Sequence, residues 1–398
     1  MVDPLYLLPV LLLMALAWFA GRSYGLARKG NQESSRQLAQ NYFQGINFLL
    51  NEQPDQAIDT FIHSVEVTPA TLETHLALGN LMRQRGEIER AIRVHQNLLS
   101  RPNLSTQQIR QARLELGRDF LKAGLLDRAE RLFLDLVEDE SGELRQASLL
   151  HLVQIYRDEQ EWDKAIRAAD MMDRRHQVRG GQALAVEQAQ FCCELTVKAM
   201  ANGDLLQARR QLKSALKFNR NAARASLLWG ELELRQRNYG EALRHYCAVP
   251  KQQSDYLPEV LGPLRRCFRE MGNDAGLIKL LEDWLASYPG ASVLGALTEE
   301  IAQQQGEKQA IEFLTSYLKE RPTLRGLNAL LRFHLKQQMD REGSEHLELL
   351  QKLLDALLSR RSAYRCIQCG FKGNQLHWLC PQCLQWETVR PVKGLEGE

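Results

Sequence analysis

"GRDFLKAGLLDRAERLF", Gly117 to Phe133, is the stretch that decides the fold. It opens on a small residue, reaches Ala129 twelve positions later, and places the bulky Phe133 four positions beyond that. The spacing recurs. Gly45 precedes Ala57 and Phe61, and Gly230 precedes Ala242 and Tyr246. Gly79 is followed by Met82, Ala91 and Leu98, a full period of 34 residues after Gly45. Small residues at this interval let two antiparallel helices cross closely, and large ones fill the gap to the next pair. Weaker copies follow at Tyr156 and Ala165, then at Ala199, Ala208, Leu212 and Ala215. Two more stand at Leu281, Trp284 and Pro289, and at Ala310, Leu314 and Pro322. The pattern predicts an all-α chain of helix–turn–helix units, about eight over residues 38–322. "RHQVRGGQA" (Arg175–Ala183) lengthens one connection and reads as a hinge. Beyond Pro322, "LNALLRFHL" and "HLELLQKLLDALL" are periodic enough to predict two closing helices within residues 323–361.

The period and its residue types resemble the tetratricopeptide repeat. That resemblance implies a superhelical solenoid whose first helices line a groove. Carried onto this chain, it implies that Asn80, Arg83, Arg118, Gln154 and Arg157 face the groove and contact a partner peptide. The same residues also read as a solvated polar face.

Four of the eight cysteines lie in "CIQCGFKGNQLHWLCPQC", residues 366–383. Cys366 and Cys369 form one Cys-x-x-Cys turn, and Cys380 and Cys383 the other. Two such turns facing each other build a tetrahedral four-thiolate cage for one metal ion. Four sulfurs fill its coordination, so the metal is expected to be structural, with zinc preferred and iron the alternative. His377 lies between the pairs, and Trp386 is placed to cover one side of the cage. The flanking "CG" and "CP" resemble a rubredoxin-like knuckle, which sets residues 362–391 apart as a metal-binding domain and 392–398 as a tail. Leu384 stands where glycine is expected after the second pair. A domain this small needs a metal to hold it together, and is expected to pack on the repeats and fix their end. Cys192, Cys193, Cys247 and Cys267 belong to no secreted disulfide framework, which points to a reducing compartment.

At the other end, "LYLLPVLLLMALAWFA" runs uncharged from Leu5 to Ala20. Only Asp3 precedes it, while Arg22, Arg28 and Lys29 follow. That asymmetry favours an uncleaved membrane helix over 1–21, a juxtamembrane linker over 22–37, and a body on the cytoplasmic side. The formal net charge is only +2, which excludes a global attraction to nucleic acid; Arg360, Arg361 and Arg365 before the knuckle make only a local patch. Phosphate-binding glycine loops, nucleophile elbows and zinc-protease helices are missing from the sequence, so no enzyme is expected.

An N-terminal anchor, cytoplasmic repeats and a terminal CIQCG…CPQC knuckle, in that order, resemble the lipopolysaccharide assembly protein B family of Gram-negative bacteria. The resemblance covers the whole chain. It implies a single-pass inner-membrane adaptor that works with the membrane protease FtsH to control degradation of the LpxC deacetylase, alongside other inner-membrane regulators or lipopolysaccharide assembly proteins. A general membrane-tethered scaffold for envelope enzymes, and a redox protein with iron in the knuckle, are the alternatives. Homo-oligomerisation stays open.

Overall fold

The computed structural model describes residues 72–102, 104–139, 142–172, 178–179, 182–337 and 344–394, with a few isolated positions nearer the N-terminus. The expected anchor, linker and most of the first repeat lie outside the described residues, as does 395–398; Trp18 is helical and exposed. Among the described residues no helix is long and apolar enough to cross a membrane. The chain divides into two compact units, Met1–Gln160 and Glu161–Glu398.

The described helices of the first unit are α1 (Leu72–Gln84), α2 (Ile88–Leu99), α3 (Thr106–Lys122), α4 (Leu126–Asp139) and α5 (Glu143–Asp158). Each packs on the next. Helix α2 shows why: it buries Ala91, Val94, His95 and Leu98, an i, i+3, i+4, i+7 stripe that has a core side only when a neighbour covers it. Helix α3 begins at a reciprocal cap, where Ser105 Oγ accepts from the Gln108 amide and Gln108 Oε1 accepts from the Ser105 amide.

The small residues of the repeat are sites of close approach. A Cβ on Gly117 would lie 2.6 Å from Phe133 Cε1, and one on Gly230 would lie 2.4 Å from Tyr246 Cε1. In the unit opened by Gly79 the ring that fills this place is His95, not the Leu98 read from the sequence. Leu98 is buried one turn further on, in the layer shared with Leu72 and Leu104.

A second recurring element joins the helices of each hairpin. The residue at the turn is left-handed at Gly86, Gly124, Gln160, Gly203, Arg237 and Gly272. At five of these the following amide reaches back five residues, as from Glu87 to the Met82 carbonyl and from Asn238 to the Glu233 carbonyl. These bonds satisfy carbonyls that the helix end leaves open.

In the second unit α6 (Trp162–Asp170) is followed by a short hairpin of β1 (Val178–Arg179) and β2 (Gln182–Ala183), paired Val178 to Ala183. The expected hinge thus holds a two-residue ladder; its other residues lie outside the description. Then come α7 (Leu184–Ala201), α8 (Leu205–Phe218), α9 (Ala223–Arg235), α10 (Tyr239–Tyr246) and the short α11 (Val249–Gln252). A 3-10 turn, Ser254–Tyr256, leads into α12 (Leu257–Glu270), α13 (Asp274–Ser287), α14 (Ala291–Gln304) and α15 (Glu307–Glu320). Last come α16 (Leu324–Gln337) and α17 (Ser344–Ser359), where two closing helices are expected. One core runs from Ala223 through Tyr256, Leu264 and Leu281 to Phe333.

The C-terminal ribbon has three antiparallel strands, β3 (Tyr364–Cys366), β4 (Lys372–Gly373) and β5 (Val389–Pro391), with β3 in the centre.

Candidate metal centre and its seat on the repeats

The two Cys-x-x-Cys turns have the same backbone. Cys366 N–H donates to the Phe371 carbonyl and Gly370 N–H to the Cys366 carbonyl, at 2.7 and 3.1 Å. Cys380 and Leu384 repeat this with the Gln385 and Cys380 carbonyls, at 3.0 and 2.9 Å. Each turn closes on a left-handed residue, Gly370 at φ +80° and Leu384 at φ +53°. Gly370 adopts this freely, whereas Leu384 pays about 1–2 kcal/mol for the contact between its Cβ and the backbone. The second turn therefore keeps its shape against local preference.

The turns bring four sulfurs together, all within 4.8 Å of one another. Cys366 Sγ is 3.7 Å from Cys383 Sγ, and Cys369 Sγ is 3.7 Å from Cys380 Sγ. A tetrahedral ion with metal–sulfur bonds of about 2.3 Å has sulfur–sulfur edges of about 3.8 Å, so the cage fits such an ion. Its chemistry fits too. Burial opposes ionisation of Cys366, but the Thr388 hydroxyl and the Cys369 and Gln368 amides outweigh it and bring the thiol down to about 6. Cys383 is driven the other way, by burial and by the adjoining sulfurs. Four thiols this close cannot all lose their protons unless a cation replaces them. His377 stacks edge-on against Phe371 and is not one of the clustered ligand groups. Tyr364, Phe371 and Leu376 pack around the cage, a more apolar surround than its sequence neighbours suggest.

Trp386 does not cap the cage. Its indole is 2% exposed and lies among Trp162 of α6, Phe191 of α7 and the Arg224 guanidinium of α9. Burial against large apolar partners outbids a place over sulfur. Trp378 holds the other face of Arg224 and packs against Tyr256, with centroids 4.7 Å apart. Glu387 follows Trp386 and donates its N–H to the Trp378 carbonyl at 2.8 Å; it is nearly buried and left-handed at φ +56°. Gln190 Nε2 donates to one of its oxygens at 2.6 Å and Gln253 Nε2 to the other at 2.9 Å. Its burial raises the carboxyl above the ordinary range, against the pull of those amides and of Arg390 and Arg224. Tyr256 Oη donates to the Glu387 and Val389 carbonyls, Tyr364 Oη donates to Glu259, and Arg390 pairs with Asp255 at 2.9 Å.

The ribbon thus sits on helices α6, α7, α9 and α12 and on the turn between α11 and α12. The partners that settle this, Gln190, Arg224, Gln253, Asp255 and Tyr256, carry no motif and were missed in the sequence. An arginine, a glutamine and a tyrosine among helical repeats look like any half-polar helix face.

The residues expected to line a groove lie in the first unit, where they are bound to their neighbours. Arg83 spans Glu115 and Asp119, both at 2.7 Å, and donates to Asn80 Oδ1 at 2.6 Å. Arg118 bridges Glu115 and His151. Arg157 is buried and bonds Asp158; Gln154 is half-buried. Asp119 also holds His95 Nδ1 at 2.5 Å, both side chains fully buried, so the ring under Gly79 is tied into the same stripe. The structure brings Asn80, Arg83 and Arg118 into one network across α1, α3 and α5. It places Arg157 apart from them.

Comparison with known proteins agrees with this architecture. The rubredoxin metal binding domain family matches residues 364–391, and tetratricopeptide repeat families match 74–106, 114–177 and 198–256. Lipopolysaccharide assembly protein B of Escherichia coli (strain K12) is 34% identical over 98% of this chain and 98% of its own length. The protein of the same name from Haemophilus influenzae is 31% identical over the full length of both. Among solved structures, a tetratricopeptide repeat protein from Parabacteroides merdae is 14% identical, covering 72% of this chain and 99% of that one, with a TM-score of 0.32. The relatives are named for assembly, and tetratricopeptide repeats make up much of this chain. With full-length identity above 30% and a ribbon of the matching kind seated on tetratricopeptide repeats, the chain belongs to the lipopolysaccharide assembly protein B family.

Proposed function

We propose that the protein is an inner-membrane adaptor of lipopolysaccharide assembly, anchored through residues 1–21, that promotes FtsH-dependent proteolysis of the LpxC deacetylase. Cys366, Cys369, Cys380 and Cys383 hold one structural metal ion, zinc in preference to iron. Residues 22–37 tether the body to the cytoplasmic face of the membrane, and residues 38–322 with the helices of 323–361 form the scaffold. The observation that carries this reading is the seat of the ribbon. A metal cage with every position filled by sulfur, bolted to repeats through Trp386 and Glu387, holds a shape and catalyses nothing. The stripe of Asn80, Arg83 and Arg118 is the partner-facing surface, preorganised by its own ion pairs, with Gln154 and Arg157 on α5.

The tether acts by raising local concentration beside a membrane-bound partner. Photo-crosslinkers at Asn80 and Gln154, in intact membranes, are expected to capture FtsH or its client. Removing residues 1–21 should lengthen the LpxC half-life although the soluble body still folds. Unchanged turnover without the anchor, or capture of envelope assembly enzymes with no protease, would sink the protease link and leave a general assembly scaffold.

A further inference from the structure

One face of the ribbon carries a row of like charges. Register pairs Arg365 on β3 with Lys372 on β4 and, on its other side, with Arg390 on β5. Directly opposed residues of neighbouring strands project from the same face, where like charges repel. With strands about 4.8 Å apart, the row spans about 10 Å. Lys372 and Arg365 are exposed, and among the described residues neither has a carboxylate partner. Arg365 and Arg390 also line a cavity of about 690 Å³ with Lys393, Ile367 and Gln368. Asp255 is the one acid in that lining, and it is already taken by Arg390 Nη1 at 2.9 Å and Lys393 Nζ at 2.5 Å. Among the described residues the buried Arg390 Nε has no acceptor.

Arg390 and Lys393 serve the seat through Asp255, whereas Arg365 and Lys372 serve no contact of the seat among the described residues. The whole chain is close to neutral, so the excess is local. We propose that the row Lys372–Arg365–Arg390, with Lys393, is a docking face for an acidic protein segment in extended conformation. The length of the row selects this occupant. Alternate carboxylates of an extended chain lie on one side about 6.8 Å apart, which lets two of them meet the row at once. A single small anion engages one end only. Ile367, 63% exposed beside the cations, offers apolar surface to the side chains between the carboxylates. The site stands apart from the scaffold reading, and the identity of protease and client does not enter it.

The test is fluorescence anisotropy of the metal-loaded full-length protein with a labelled peptide of alternating Glu and Val, against a Lys and Val control. Arg365→Glu and Lys372→Glu are each expected to weaken binding about tenfold or more, and raising salt from about 50 to about 300 mM to weaken the unaltered protein far more than the double variant. Metal content of one ion per chain shows that the ribbon is intact; should the glutamates disturb it, Arg365→Gln with Lys372→Gln carries the same comparison. Absence of peptide binding, equal affinity in the double variant, or full displacement of the peptide by millimolar inorganic phosphate would each overturn the proposal, the last by showing a site for small anions. None of these outcomes bears on LpxC turnover, so the two readings fail separately.

Discussion

Trp386→Ala separates the seat of the ribbon from its cage. The indole is almost wholly buried, edge-on against the stacked Trp162 and Phe191 at centroid distances of 6.2 and 6.1 Å. A buried tryptophan hides roughly 150–250 Å². At about 25 cal/mol per Å² that is about 4–6 kcal/mol, an upper estimate because the unfolded chain already hides part of it. Truncations of buried aromatics cost about 3–5 kcal/mol, and about 4 kcal/mol is the working figure. None of it belongs to the metal. Trp386 is not a ligand, and the bonds that shape the second turn, Cys380 to Gln385 and Leu384 to Cys380, are backbone bonds that alanine keeps. Urea titration of the second unit followed by circular dichroism is the assay. With an m value of about 2–3 kcal/mol/M the midpoint should fall by about 1.5 M. Metal content without urea should stay at one ion per chain. A shift below about 0.3 M would show that the indole does not hold the ribbon in place, and loss of the metal from the folded variant would show that cage and seat cannot be separated.

Cys366→Ser and Cys380→Ser should each lower metal content from one ion per chain to near zero by elemental analysis, and open residues 364–391 to protease while helix content persists; a colourless unaltered protein identifies zinc, and absorption in the visible identifies iron. Leu384→Gly relieves a left-handed leucine and should stabilise the ribbon by about 1 kcal/mol, read as slower metal loss to a chelator. Gly230→Ala drives a methyl to 2.4 Å from Tyr246 and should cost about 1–3 kcal/mol in urea titration, whereas Gly240→Ala, with nothing within 4 Å, should cost nothing.

The repeats were legible because their signal is steric. Gly117 and Phe133 must be small and large at a fixed interval for two helices to cross, and that constraint is written in residue type. The turn element was harder to read, because the left-handed position is glycine at Gly86, Gly124, Gly203 and Gly272 but Gln160 and Arg237 elsewhere. A backbone conformation held by packing leaves no mark in the side chain. His95 was passed over for a related reason. A buried ring at the bulky position reads as polar until Asp119, on the next hairpin, is known to hold it. The cage was legible from spacing alone, since two tight turns bring four sulfurs together whatever surrounds them. Its seat was not. Gln190 and Glu387 are 197 positions apart, and no local rule pairs a glutamine in a helix with a glutamate in a ribbon.

The position of that seat bears on where partners bind. The ribbon rests largely on α7, α9 and α12, the first helices of successive hairpins, which is the face such repeats are expected to offer to a peptide. In the second unit that face is occupied by the chain's own C-terminal segment, with Arg224 clasped between Trp378 and Trp386 as a bound side chain would be. A rubredoxin-like module in this position has exchanged roles with the ligand. It covers that surface, and the row of Lys372, Arg365 and Arg390 is the docking face we propose in its place. The cage makes the exchange workable, because a segment of about thirty residues has too little core to keep three short strands in register without metal. Loss of the ion would therefore both remove the new surface and bare the old one. A metal-free protein should then lose the acidic peptide and gain affinity for whatever the repeat face alone can hold.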